Sequence, residues 1–242
     1  MNAPLTILTG ASRGMGRAMA EQLLAAGHQL LCIARKPAAG LACEQWSADL
    51  ADAPAVAARL DAWLAQRAAD KPASVTLINN AGTIPRIAPL GGVAADDLAH
   101  ALRVGLEAPM LLTGAFLRAT AGWAVPRKVL NISSGLGRRA MASQAAYCAA
   151  KAGMDHFTRC VALEEAQQPN GARVCSLAPG VIDTDMQVQL RGADPRDFPD
   201  RGNFVGMKEQ GALVSPHDGA ARVLAYLARP DFGSNPAGDV RD

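Results

Sequence analysis

Tyr147 and Lys151 stand four positions apart in the run AYCAAKAGM. On a helix that spacing places both side chains on one face. An ammonium near a phenol favours the phenolate, so the pair predicts a Tyr147 pKa lowered towards working pH and a usable general acid or base. Upstream, the apolar run Val129, Leu130, Ile132 reads as a strand that ends in Ser133 and Ser134. A Ser hydroxyl held beside the phenol can hydrogen-bond the same substrate oxygen and stabilise charge as it develops. Surface helices also produce Tyr-x-x-x-Lys by chance, so the pair gains weight only next to a nucleotide site.

The start of the chain reads as such a site. Pro4 to Leu8 is a short apolar strand, Arg17 to Ala26 has a helical pattern, and Thr9 to Gly16 (TGASRGMG) lies between them. Gly10, Gly14 and Gly16 let the backbone turn tightly and approach a pyrophosphate seated on the helix N-terminus, with Ser12, Arg13 and Met15 in the same turn. The alternative is an ordinary glycine-rich turn. A second strand, Gln29 to Ala34, ends in Arg35 and Lys36 with no carboxylate. A carboxylate there would hold a free ribose hydroxyl, whereas basic residues suit a 2′-phosphate, so the sequence favours NADP(H) over NAD, with Arg13 and Arg35 in reach of the phosphate.

The alternation continues. Cys43 to Ala48 is a weak third strand before Asp49 and Leu50. Asp49 either meets the adenine amine or caps a helix over Ala53 to Ala69. Val75 to Ile78 is a buried strand leading into Asn79-Asn80-Ala81-Gly82, where a cofactor would lie along the carboxyl edge of a parallel sheet. Asp96 to Thr120 reads as one long helix that Pro109 should bend. Val174 to Leu177 is the sixth strand, broken by Ala178-Pro179-Gly180. From about 185 to 213 regular alternation stops, which suggests a lid or substrate loop. Pro216 to Leu227 reads as a last helix and Phe232 to Asp242 as a polar tail. The expectation is one domain, 1–242, of α/β class: a Rossmann-type doubly wound parallel sheet with helices on both faces.

Composition narrows the function. The chain has 242 residues, half of them hydrophobic, and a net charge of only +2. That charge argues against nucleic acid or a membrane surface as partner. Neither a signal peptide nor a membrane span is legible. Five cysteines without metal spacing and four dispersed histidines predict no metal and a cytoplasmic protein with reduced thiols.

Together, TGASRGMG, NNAG (Asn79 to Gly82), Ser134, Tyr147-x-x-x-Lys151 and Pro179-Gly180 resemble the short-chain dehydrogenase/reductase family. Thirteen residues separate Ser134 from Tyr147, as in that family. LEE (Leu163 to Glu165), APGVIDTDMQ (Ala178 to Gln187) and Gly211 to Val214 are similar to its sepiapterin reductase branch, including benzil reductase-like enzymes. The resemblance implies NADPH-dependent reduction of a small carbonyl, often a vicinal dicarbonyl, by a homodimer or homotetramer. It implies that Tyr147 donates a proton to the carbonyl oxygen, Ser134 hydrogen-bonds that oxygen, and Lys151 tunes Tyr147 and holds the nicotinamide ribose. It also implies that Ile182 and Thr184 bind the carboxamide and that Asn80, Ala81, Gly82, Pro179 and Gly180 line the cofactor.

One departure bears on turnover. The family's helix before the Ser strand carries an Asn that holds a water relay behind the Lys; here Arg103-Val104-Gly105-Leu106 puts Gly105 there. Water could fill the space beside Lys151. The departure keeps alive a second class, an NADP-binding sensor or scaffold with little turnover. A third reading, an epimerase or dehydratase of the extended branch, normally needs a longer C-terminal region. At the other end, Asp239 matches a pterin-anchoring Asp of sepiapterin reductases if the tail aligns without gaps. Alternatively Asp239 is a solvated terminal carboxylate or pairs with Arg241.

Overall fold

The computed structural model describes residues 2–67 and 71–242. Seven parallel strands form one sheet: β1 (Leu5–Thr9), β2 (Gln29–Ala34), β3 (Glu44–Ser47), β4 (Val75–Asn79), β5 (Arg127–Ile132), β6 (Arg173–Ala178) and β7 (Ala237–Asp239). Their spatial order is β3-β2-β1-β4-β5-β6-β7. The order reverses at β1, which pairs with β2 on one side and β4 on the other. The loops leaving β1 and β4 therefore diverge around a crevice at the carboxyl edge, where open α/β sheets take ligands.

The strands inside the sheet, from β2 to β6 in space, are largely buried on both faces, whereas the edge strand β3 is mostly exposed. Leu5, Ile7, Leu31 and Ile33 face α2 (Ala53–Ala65), α4 (Ala108–Thr120) and α5 (Ala145–Glu165) through Leu60, Phe116 and Val161. Leu8, Leu30 and Cys32 face α1 (Gly14–Ala25) and α8 (Pro216–Ala228) through Met19, Leu23 and Val223. Alternate residues thus feed opposite cores. Ser215 caps α8, its hydroxyl accepting from the Asp218 N–H.

Three regions differ from the sequence reading. The expected helix Asp96–Thr120 is α3 (Ala95–Leu102), a π-helical turn over Arg103–Glu107, then α4. Pro109 lies in the first turn of α4 and has no N–H to return to the preceding turn, so the wider turn ends where regular bonding can restart. The end of the Ala53–Ala69 helix partly falls outside the described residues.

The expected irregular lid contains α6 (Asp185–Gly192) and α7 (Arg201–Glu209). Both fold around Leu190, Phe198 and Phe204, a small core that glycines and prolines at the segment's turns obscured in the sequence.

The expected polar tail supplies β7. Phe232 is buried on the Tyr226 ring and under the Lys128 ammonium. Backbone pairing of Ala178 with Asp239 completes the sheet. Emptying the Phe232 site leaves a cavity, so Phe232→Ala should cost about 3–5 kcal/mol of stability in a denaturant melt. A loss near zero would mean that the tail does not hold the sheet edge.

Candidate active site

The loop after β1 is held by the loop after β4. Thr9 Oγ1 accepts from the backbone N–H groups of Asn80 and Ala81, both at 3.0 Å, and Asn80 Nδ2 donates to the carbonyls of Thr9 and Gly10 at 3.0 and 3.3 Å. Gly16 explains why this contact needs a missing side chain. A Cβ there would lie 2.2 Å from the Gly10 carbonyl oxygen and 2.5 Å from Asn80 Nδ2. Arg13 precedes α1 without capping it, and the first turn has no acidic residue, so its N–H groups suit an anion. Ser12 is half-buried beside them, while Met15 points into the core.

The third side of the crevice is the loop after β6. Pro179 is followed by Gly180 at φ +82°, then Ile182 pairs with Val214 and Thr184 opens α6. Thr184 Cγ2 would be 3.4 Å from a Cβ on Gly14, so the two loops nearly touch. Arg13 reaches across and pairs with Asp185 at 2.7 Å rather than standing free. At the end of β2, Arg35 and Lys36 are exposed and have no carboxylate partner among the described residues. Asp49 accepts from the Ala51 N–H at 2.9 Å and caps a short 3-10 turn over Leu50–Asp52 rather than the expected helix, whose N-cap position is Asp52; Leu50 is buried.

Ser134, Tyr147 and Lys151 come together at the mouth of this crevice. Ser134 Oγ accepts from the Leu136 N–H at 3.2 Å, which fixes the start of the loop after β5. Lys151 is buried and donates to the Ile132 carbonyl at 2.7 Å; its Nζ lies 5.7 Å from the centre of the Tyr147 ring. A Cβ on Gly82 would come within 3.9 Å of that Nζ.

The electrostatics correct one expectation. Burial pushes the Tyr147 phenol up to about 12, with the Ser134 hydroxyl acting in the opposite sense. The ammonium does not overcome this, because Lys151 is turned to Ile132 and is itself destabilised as a cation. Burial pushes Lys151 down to about 8, and Asp155 counteracts part of that fall. A protonated phenol at neutral pH is a proton donor, which is the form that reduction of a carbonyl uses.

Gly105 is buried in the π-helical turn, and a Cβ on it would meet Ala150 at 3.2 Å, with no atom of Lys151 within 4 Å. The turn thus packs closely on α5 at Ala150.

On the substrate side, Met186 of α6 and Met207 of α7 join Ile84, Ile87 and Met141 around Leu190, Phe198 and Phe204. The segment with α6 and α7 is thus seated on the loops after β4 and β5. Arg86 pairs with Asp197 at 3.4 Å, and Ser143 donates to the Asp197 carbonyl. Asp239 is buried, and its carboxylate is held by Arg241 Nε and Nη2 at 2.7 and 2.6 Å. The sequence pattern left Thr9, the Ile132 carbonyl, Asp155 and the apolar lid contacts unnoticed. Only Thr9, a hydroxyl at the strand end next to Gly10, carried a local signal.

Residues 5–194 match the family described as short chain dehydrogenase. The chain belongs to that family. Membership makes it an oxidoreductase working with a nicotinamide cofactor. It is 35% identical over 243 residues to benzil reductase ((S)-benzoin forming) of Bacillus cereus, covering 97% of this chain and 96% of the relative. It is 31% identical to sepiapterin reductase of Rattus norvegicus, covering 100% and 98%. Among solved structures, a short-chain dehydrogenase/reductase from Burkholderia vietnamiensis is 32% identical over 99% of both chains, with a TM-score of 0.67. A putative NAD(P)-dependent gluconate 5-dehydrogenase from Beutenbergia cavernae with bound NADP is 28% identical, covers 99% of this chain and 96% of its own, and has a TM-score of 0.80. Among the described residues no helix is long and apolar enough to cross a membrane, and no group of three or more His, Cys, Asp or Glu could hold a metal ion.

The contact at Gly16 is a packing constraint independent of any ligand. Gly16→Ala should therefore lower stability by about 1–3 kcal/mol without added nucleotide. Unchanged melting of the cofactor-free variant would show that the loop gives way easily and that Gly16 matters only to a bound phosphate.

Proposed function

We propose that the chain is an NADPH-dependent carbonyl reductase whose preferred substrate is an apolar vicinal dicarbonyl of the benzil kind. The observation that carries the reading is the convergence of Ser134, Tyr147 and the buried Lys151 ammonium, which lies one turn along the same helix and 5.7 Å from the Tyr147 ring centre. The relative named benzil reductase, similar along nearly all of both chains, supports the substrate class.

The residues fit a dinucleotide. The uncapped first turn of α1 would take the pyrophosphate, with Gly10, Ser12, Gly14 and Gly16 admitting its close approach. Asn80, Ala81 and Gly82 would border the nicotinamide ribose, and Lys151 would hold its hydroxyls. Pro179, Gly180, Ile182 and Thr184 would border the nicotinamide. Arg35 and Lys36, exposed and without a carboxylate nearby, support a 2′-phosphate and so NADP rather than NAD. Arg13 would join them by leaving Asp185. Bound reduced nicotinamide supplies the hydride.

The chain's own work is polar and steric. Ser134 donates to the substrate carbonyl and orients it. Tyr147 gives its proton to the same oxygen as negative charge develops, and Lys151 stabilises the phenolate left behind. The apolar lid excludes water. A pterin is disfavoured, because the Asp239 carboxylate that would grip its N–H edge is already bound by Arg241. We extend the proposal to a homodimer or homotetramer through α4 and α5, supported by the exposed apolar side chains Met110, Leu111 and Leu163.

NADPH oxidation followed by absorbance with benzil, simple diketones and sepiapterin tests the activity. Turnover should be fastest with benzil; absence of turnover with every carbonyl would overturn the reading. Tyr147→Phe keeps the ring and should lower kcat by roughly 10² to 10⁴ with NADPH binding retained. Near-full activity would remove Tyr147 as the proton donor.

Cofactor choice has its own variant. Arg35→Asp removes a phosphate partner and adds a hydroxyl acceptor, so the ratio of kcat/KM for NADPH over NADH should fall. An unchanged ratio would assign the selectivity to Lys36 or Arg13.

A further inference from the structure

Asp155 lies one turn beyond Lys151 on α5, on the same face, and is almost wholly buried. A buried carboxylate is costly unless it is paired and hydrogen-bonded. Here Oδ1 accepts from Ser133 Oγ and from Ser176 Oγ, both at 2.6 Å. Oδ2 lies 3.3 Å from Arg138 Nε. Arg138 in turn donates to the Gly238 carbonyl of β7 at 2.8 Å. One carboxylate therefore joins the ends of β5 and β6, the loop between Ser134 and Tyr147, and through Arg138 the last strand. Gly137 marks how closely the loop approaches: a Cβ there would be 2.9 Å from Asp155 Oδ2 and 3.0 Å from the Lys151 carbonyl.

We propose that Asp155 is a positioning residue for carbonyl reduction, holding Ser134 through its neighbour Ser133 and keeping the Lys151 ammonium charged from the turn beneath it. The proposal rests on the reductase reading of Tyr147 and Lys151. Burial lowers the Lys151 pKa and Asp155 is the group that raises it. The other titratable or charged groups facing this pair are Tyr147 on the same helix, Arg138 on the loop and Cys175 on β6, whose thiol is pushed up chiefly by burial. Arg138 opposes Asp155 at Lys151, since it neutralises part of the carboxylate's field.

That opposition gives a test with two signs. Asp155→Asn keeps an acceptor for Ser133 and Ser176 but removes the charge, so the fall of kcat/KM for benzil with rising pH should move to lower pH by about one unit. Arg138→Gln removes the compensating cation at a half-exposed site, so the same fall should move to higher pH. A purely structural defect would lower the rate at all pH values without moving the two profiles apart. The titration of the Lys151 side chain, followed by NMR in cofactor-free protein labelled with 13C at lysine Cε, reads the same shifts without turnover. It separates failure of this proposal from failure of the reductase reading. Shifts of opposite sign support the role of Asp155. An unmoved titration in Asp155→Asn, or a shift of both variants in one direction, overturns it. If Asp155→Asn does not fold, an unmoved or downward-shifted titration in Arg138→Gln overturns it and an upward shift supports it.

Discussion

The structure has to keep one ammonium buried. Lys151 sits at the carboxyl edge of the central strands with very little of its surface exposed, and it donates to the Ile132 carbonyl at the end of β5. An unpaired buried cation loses its proton instead of remaining charged. The surrounding chain works against that outcome. β5 ends where its carbonyl can turn to the amine, and α5 brings Asp155 one turn away. Ser133 and Ser176, on neighbouring strands, hold that carboxylate in place. A buried ammonium is therefore supported by groups that also join β5, β6 and α5.

Beneath the site, a second polar layer performs the same joining without charge. Asn79 Nδ2 donates to Asn131 Oδ1 at 2.8 Å and to Thr113 at 3.2 Å, and Asn131 Nδ2 donates to Thr158 at 2.9 Å. These bonds tie β4 and β5 to α4 and α5. They pair the buried amide N–H groups of Asn79 and Asn131, which would otherwise carry a desolvation cost of about 1–3 kcal/mol each. The π-helical turn at Arg103–Glu107 lies in the same region, with Gly105 closed against Ala150.

Much of this was legible before any coordinates, and the reason is physical. Apart from the weak β3, the strands from β1 to β6 are built on short apolar runs bounded by turn residues, and parallel sheets make such runs conspicuous. Tyr147, Lys151 and Ser134 announce themselves through fixed spacings. What escaped was long-range or cooperative. Phe232 and β7 lie in a stretch that reads as polar, yet they are held by a strand far upstream and by Lys128. The lid helices depend on Phe198 and Phe204 meeting across a turn, at 5.6 Å between ring centres. The phenol's pKa failed as an expectation because spacing alone says nothing about burial, and burial outweighs a cation that is already turned to a carbonyl.

The tail brings these strands of argument to the question of substrate. A carboxylate gripping a pterin and a carboxylate gripping a guanidinium use the same geometry, two parallel N–H bonds to two oxygens. Arg241 makes that grip from two residues away, with Nε and Nη2 on opposite oxygens of Asp239. To bind an amino-heterocycle there, the chain would first have to release a charge-assisted pair at a site where Asp239 is buried. A substrate without N–H donors makes no such demand. On the reading proposed above it would meet the apolar segment around Leu190, Phe198 and Phe204, where Met141, Met186 and Met207 are soft, adaptable side chains. The same tail is joined through the Gly238 carbonyl to Arg138, and through Arg138 to Asp155. The tail is therefore mechanically continuous, through Arg138 and Asp155, with the end of β5 at Ser133.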